Sequence, residues 1–162
     1  MSLLYNIKYN LDEALLKQEA YSSEYEPFVD PLTETVMPLW LMCKKVSGYG
    51  AVVAKDFRNI LHTDVKPRFI IQKKGFVLNF HKDRGTKCAI NFILSTSKDP
   101  IRFRTDTGMN SFQYKQALID VQTEHEVKAA KEDRYLFKLS VPNINFNEAL
   151  ERILAYENLQ PK

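Results

Sequence analysis

Only two cysteines, Cys43 and Cys88, occur in the 162 residues, and they form neither a disulfide framework nor a Cys-x-x-Cys pair. Their plain reading is two reduced, buried thiols in a cytoplasmic protein. No apolar run approaches the roughly 20 residues that span a bilayer, so no membrane segment is expected. The stretch from Met1 to Lys8 lacks a basic start followed by an apolar core, so no signal peptide is read there. There is no compact run of five or six basic residues, no internal repeat, no low-complexity tract and no evident linker. Histidine is scarce as well: His62, His81 and His125 are the whole supply.

What is present describes an ordinary globular chain. An apolar fraction of 44% with 27% charged residues can bury a core, which excludes a disordered chain. The length suits one domain, 1–162. Within it we expect helical or irregular N-terminal support over 1–48, a β-rich core over 49–145 and a C-terminal helix over 146–162. Charge is uneven. Residues 10–34 carry seven acidic side chains and one lysine, whereas 44–104 carry fourteen Lys/Arg against four aspartates. That pattern suits a basic face for an acidic partner, nucleic acid included, although a solvated strand surface explains it more simply.

Leu11–Ala20 reads as a short helix, with Asn10 as N-cap and Glu13 three residues on. Pro27, Pro31 and Pro38 break the acidic, aromatic segment that follows. Leu39–Cys43 is a buried apolar segment open to either helix or strand, and Gly48 and Gly50 turn the chain. Short strands are then expected at Tyr49–Val53, Arg68–Gln72, Phe76–His81, Cys88–Leu94, Ile101–Arg104, Gln116–Gln122, His125–Ala129 and Arg134–Val141. Turns are expected at Lys98-Asp99-Pro100 and Thr107-Gly108-Met109-Asn110. Strands at this spacing argue for an antiparallel sandwich or barrel. Asn145 can cap a last helix, Phe146–Glu157, whose Phe146, Leu150, Ile153 and Leu154 make an apolar face.

His81 and Asp83 end a strand-like run. Side chains two apart on a strand share a face, so the pair can hold two corners of one metal ion. His125 follows 42 positions after Asp83, and Arg134 opens an alternating strand nine residues later. Tyr135, Phe137, Leu139 and Val141 take one face of that strand, and Arg134 and Lys138 the other. Two imidazoles and a carboxylate on one side of a metal leave positions open for further ligands. A nearby guanidinium suits the far carboxylate of a dicarboxylate, because its planar fork meets both oxygens. The competing readings are a surface His–Asp pair and a surface arginine bonded to Asp133 or Glu132. His62-Thr63-Asp64 is a second His-x-Asp, in a less regular setting before Pro67. The aromatics Phe80, Phe92, Tyr135 and Phe137 are read as core.

The ordered set His81-Lys82-Asp83, strand Cys88–Leu94, His125 and Arg134 resembles the Fe(II)- and 2-oxoglutarate-dependent oxygenases, in their prolyl-hydroxylase-like branch. The resemblance covers about Gly75 to Phe146. It implies a mainly β fold, a double-stranded β-helix (jelly roll) flanked by N- and C-terminal helices. It implies Fe(II) on His81, Asp83 and His125, with Arg134 binding the C5 carboxylate of 2-oxoglutarate. The activity implied is hydroxylation of a peptide, protein or small molecule by O2, with release of succinate and CO2. Asn79 and Thr123, two residues before the histidines, are candidate hydrogen-bonding supports of the co-substrate and metal site. The pattern departs from many relatives in Leu136, where a Ser or Thr helps the arginine. It departs again in Ile90, Phe92 and Leu94, where prolyl hydroxylases often place a tyrosine. Two alternatives remain: a non-catalytic metal-binding jelly-roll module, and a nucleic-acid demethylase of the same fold. The His125-to-Arg134 spacing suits the prolyl hydroxylases better than the demethylases, so nucleic acid is the less favoured partner.

Overall fold

The computed structural model describes residues 2–96, 99–128 and 131–161. Two antiparallel sheets face each other as a jelly roll. The larger sheet holds β1 (Leu4–Asn6), β9 (Gln116–Ile119), β6 (Cys88–Ile93), β11 (Arg134–Val141), β4 (Lys66–Gln72), β3 (Val36–Cys43) and β2 (Glu26–Val29), in that spatial order. The smaller holds β5 (Leu78–His81), β10 (His125–Val127), β7 (Ile101–Thr105) and β8 (Gly108–Phe112). Helices α1 (Glu13–Ser22), α2 (Tyr49–Leu61) and α3 (Phe146–Leu159) complete the chain.

Pleating explains the layers. Phe137, Leu139 and Val141 of β11 enter a core shared with Phe69, Ile90 and Phe92 of neighbouring strands and with Leu16, Phe57 and Ile153 of the three helices. The Phe137 ring lies 4.9 Å from Phe69 and 5.8 Å from Phe92. Arg134, Leu136, Lys138 and Ser140 alternate with these and face the other sheet, as strand geometry requires. Between the sheets, Ala89, Ala117 and Ile119 pack on Ile101, Phe103 and Val127.

Several elements differ from expectation. Tyr49–Val53 is not a strand but the first turns of α2, whose buried Gly50, Val53, Ala54, Phe57 and Leu61 follow the helical period. Its N-terminus has no side-chain cap of its own. Instead Glu19 of α1 accepts from the backbone N–H of Gly48 at 3.1 Å and of Gly50 at 2.8 Å. Gly50 is needed for another reason: a Cβ there would lie 3.2 Å from the Phe137 ring and 2.6 Å from Val46. Residues expected as helical or irregular support contribute β1, β2 and β3, so Leu39–Cys43 resolves as strand. Asp12, not Asn10, caps α1 by accepting from Leu15 N–H at 3.1 Å. The turn expected at 107–110 falls at Asp106–Thr107, and Gly108–Phe112 is a strand with mostly exposed side chains. Asn145 caps α3 as expected, while Ala149 joins its buried face and Leu154 stays exposed. Lys98 of one expected turn and Ala129 at the end of one expected strand lie outside the described residues. Among the described residues, no helix is long and apolar enough to cross a membrane.

Replacing Glu19 with Ala removes the cap from α2, and should lower unfolding free energy by about 1–2 kcal/mol. Urea denaturation followed by circular dichroism checks this. An unchanged midpoint would mean that the helix does not depend on the contact.

Candidate metal centre

The two sheets enclose a cavity of about 580 Å³, and the residues singled out from sequence meet in it. β10 pairs with β5 so that His125 stands directly opposite His81, with ring centroids 4.4 Å apart. Asp83 lies just beyond the end of β5, not on it. Its backbone N–H donates to the Val121 carbonyl at 3.0 Å, and its own carbonyl accepts from the Gln122 amide at 2.9 Å. The Asp83 Oδ1 atom is 3.3 Å from His81 Nε2 and 3.2 Å from His125 Nε2. One ligand atom from each of the three residues falls within 4.8 Å of the others.

Both imidazoles are oriented in the same way. His81 Nδ1 is 2.7 Å from the Asn79 carbonyl, and His125 Nδ1 is 2.8 Å from the Thr123 carbonyl. A carbonyl can only accept, so each Nδ1 carries a proton and each Nε2 is turned toward Asp83. Asn79 and Thr123 therefore contribute main-chain atoms. The Thr123 hydroxyl bonds elsewhere, to Asp120 Oδ2 at 2.9 Å.

Lys138 completes the cluster with its ammonium 2.5 Å from Asp83 Oδ2. Burial pushes the Asp83 carboxyl up, but Lys138 and hydrogen bonds from His125 and His81 outweigh it, holding the group far below the usual carboxylate range. For His81, burial pulls the pKa down, yet the Asp83 contact and the Asn79 carbonyl leave it raised.

Arg134 lies farther in, only 2% exposed. It pairs with neither neighbour in sequence: Asp133 bonds to Lys73 at 2.6 Å, and Glu132 accepts from Thr96. Its terminal nitrogen donates to the Tyr114 hydroxyl at 3.3 Å, while its Nε is buried with no hydrogen-bond partner among the described residues. Asn91 donates to the same hydroxyl at 3.1 Å. Sequence reading missed Tyr114, which lies between β8 and β9 and carries no periodic signal. Ile90, Phe92 and Leu94 enter the helix-side core, and Asn91 faces the cavity. Among the other aromatics, Phe80 lies outside the core, beneath the Arg104 guanidinium at 4.5 Å. His62 is the left-handed C-cap of α2, and Asp64 pairs with Arg58 at 3.6 Å; neither lines the cavity.

No protein-family model and no curated protein matches the sequence. Solved structures do match the fold. A prolyl hydroxylase from Trichoplax adhaerens, in complex with a hypoxia inducible factor peptide fragment, is 12% identical with a TM-score of 0.67, covering 91% of this chain and 85% of that one. An oxidoreductase of the 2OG-Fe(II) oxygenase family from Burkholderia pseudomallei is 9% identical with a TM-score of 0.60, covering 83% and 79%. HygX from Streptomyces hygroscopicus, with nickel, 2-oxoglutarate and hygromycin B bound, is 10% identical with a TM-score of 0.60, covering 86% and 81%.

A guanidinium buried without a counter-ion is a cost to the folded state unless a ligand supplies the anion. Arg134→Met should therefore leave the unfolding free energy of the ligand-free protein, read from urea denaturation, unchanged or raised. A drop on the scale of about 3 kcal/mol would instead mark Arg134 as a structural residue. At the level of fold, these findings agree: the chain has the jelly roll of the 2-oxoglutarate- and Fe(II)-dependent oxygenases, prolyl hydroxylases among them.

Proposed function

We propose that this chain is an Fe(II)- and 2-oxoglutarate-dependent dioxygenase that hydroxylates a peptide, protein or small-molecule substrate, with release of succinate and CO2. The observation that carries the reading is one cavity holding both the His81–Asp83–His125 cluster and a buried Arg134 whose Nε has no partner. Two imidazole nitrogens and one carboxylate oxygen fit a divalent ion held from one side. The unmatched guanidinium fits a carboxylate. The binding of nickel and 2-oxoglutarate by HygX, on the same fold, supports the pairing.

When bound, iron and 2-oxoglutarate supply the oxidising chemistry; the chain's residues position and shield it. His81, Asp83 and His125 would hold the metal. Lys138 occupies Asp83 Oδ2, so Oδ1 alone faces the imidazoles. Arg134 takes the distal carboxylate, and Tyr114, already bonded to the guanidinium, stands where a helper is needed in place of Leu136. Leu136 itself belongs to an apolar cluster with Met42, Ile70 and Ile93, a wall suited to methylene groups. The two free, buried cysteines suit the cytoplasm, where we place the protein.

Anaerobic addition of Fe(II) and 2-oxoglutarate should produce the visible charge-transfer band of the chelated co-substrate. His81→Ala should abolish the band and His62→Ala should leave it. A folded protein that gives no band would sink the oxygenase reading. A band without any 2-oxoglutarate turnover in air would favour the non-catalytic module.

Metal affinity should also depend on pH. The raised His81 pKa keeps a proton on the ring to higher pH than an unperturbed histidine near 6.5, and a metal must displace it. Mn(II) binding, measured by calorimetry, should tighten as pH rises through that region and release protons. Affinity that falls with rising pH would contradict the ligand assignment.

A further inference from the structure

Two arginines face the cavity, Arg134 buried and Arg68 half-buried, and the co-substrate reading accounts for only the first of them. Register places the inner face of the larger sheet in transverse rows. Trp40, Gln72 and Arg134 form one row; Met42, Ile70, Leu136 and Ile93 form the next. Arg68, Lys138 and Asn91 form the third. Two cationic rows are thus separated by an apolar one, and Arg134 and Lys138 lie roughly 13 Å apart along β11 at strand spacing.

Arg68 is the unmatched member of the third row. Its Nε is buried without a partner, and one terminal nitrogen meets only the Met42 sulfur at 3.6 Å. Lys138 is taken by Asp83, whose charge also reaches Arg68, but among the described residues no carboxylate makes an ion pair with Arg68. The cavity wall as a whole carries seven Lys/Arg side chains and two aspartates, which sets the sign of what it can hold. A divalent ion with Arg68, Arg134 and Lys138 brings five positive charges, and Asp83 with a dicarboxylate returns three. Positive charge remains over, beside the metal cluster and not at Arg134.

We propose that Arg68, with Lys138 beside it, forms a second oxyanion site in the cavity, and that the substrate carries a phosphate or carboxylate group held there. The word substrate rests on the oxygenase reading above; the anion site stands on Arg68 alone. A cavity of about 580 Å³ fits a small anionic molecule.

Inorganic phosphate is titrated into the full chain without added metal or 2-oxoglutarate. Binding is followed by calorimetry and by emission of Trp40, the chain's one tryptophan, which lines the same cavity. We expect one saturable site that weakens by at least about tenfold in Arg68→Met and remains in Arg134→Met. Arg68→Gln serves if the Met variant fails to fold. Acetate titrated in parallel separates the two chemistries, the stronger response naming the group. Three results would overturn the proposal: no saturable binding of either anion, loss of phosphate binding in Arg134→Met instead, or an Arg68 variant that weakens 2-oxoglutarate as much as phosphate. The last would assign Arg68 to the co-substrate. Phosphate bound through Arg68 in a chain that gives no charge-transfer band would remove the oxygenase reading and keep this site.

Discussion

The two-residue period of β11 governs both halves of this molecule. One set of side chains, Phe137, Leu139 and Val141, anchors three helices to the larger sheet; the other, Arg134, Leu136 and Lys138, lines the cavity. A slip of one residue in its pairing with β4 or β6 would exchange the sets, placing cations in the core and aromatic rings in the cavity. The site therefore cannot lose its register without the core losing its packing. Gly50 tightens the link, since α2 approaches β11 closely enough that any Cβ there meets the Phe137 ring.

The same coupling explains which features could be seen in the sequence. β11 was legible because its alternation is complete over the whole strand, and α3 because Asn145 carries its own cap. The grouping of His81, Asp83 and His125 was legible because only three histidines exist and one spacing orders two of them with an aspartate and an arginine. The helix α2 was misread: its leading Tyr-Gly-Ala-Val-Val looks like a strand, and its cap comes from Glu19, 29 residues before Gly48 in the chain. β8 was invisible because its side chains are mostly exposed and show no alternation. Tyr114 and Arg68 joined the site through tertiary pairing, which no local pattern reports.

The cavity is electrostatically unfinished. Among the described residues, Asp83 is the carboxylate that meets both imidazoles and Lys138, while the Nε atoms of Arg68 and Arg134 are buried without hydrogen-bond partners. Burial pulls the Arg68 pKa down, with Asp83 only partly offsetting it. Such an arrangement lowers the stability of the free protein, and a ligand of opposite charge would recover it. Charge placed this way acts as preorganisation: the protein has already met the cost of desolvating the groups before any ligand arrives.

The backbone anchoring of the two imidazoles has an evolutionary consequence. Carbonyl oxygens of residues 79 and 123 set the rings, and every amino acid supplies a carbonyl. Mutation can drift through both positions without turning either ring. Much of what orients this centre is thus written in chain path rather than in side-chain identity. The solved structures that share this fold are only about a tenth identical to the chain, so chain path is retained where recognition by sequence fades.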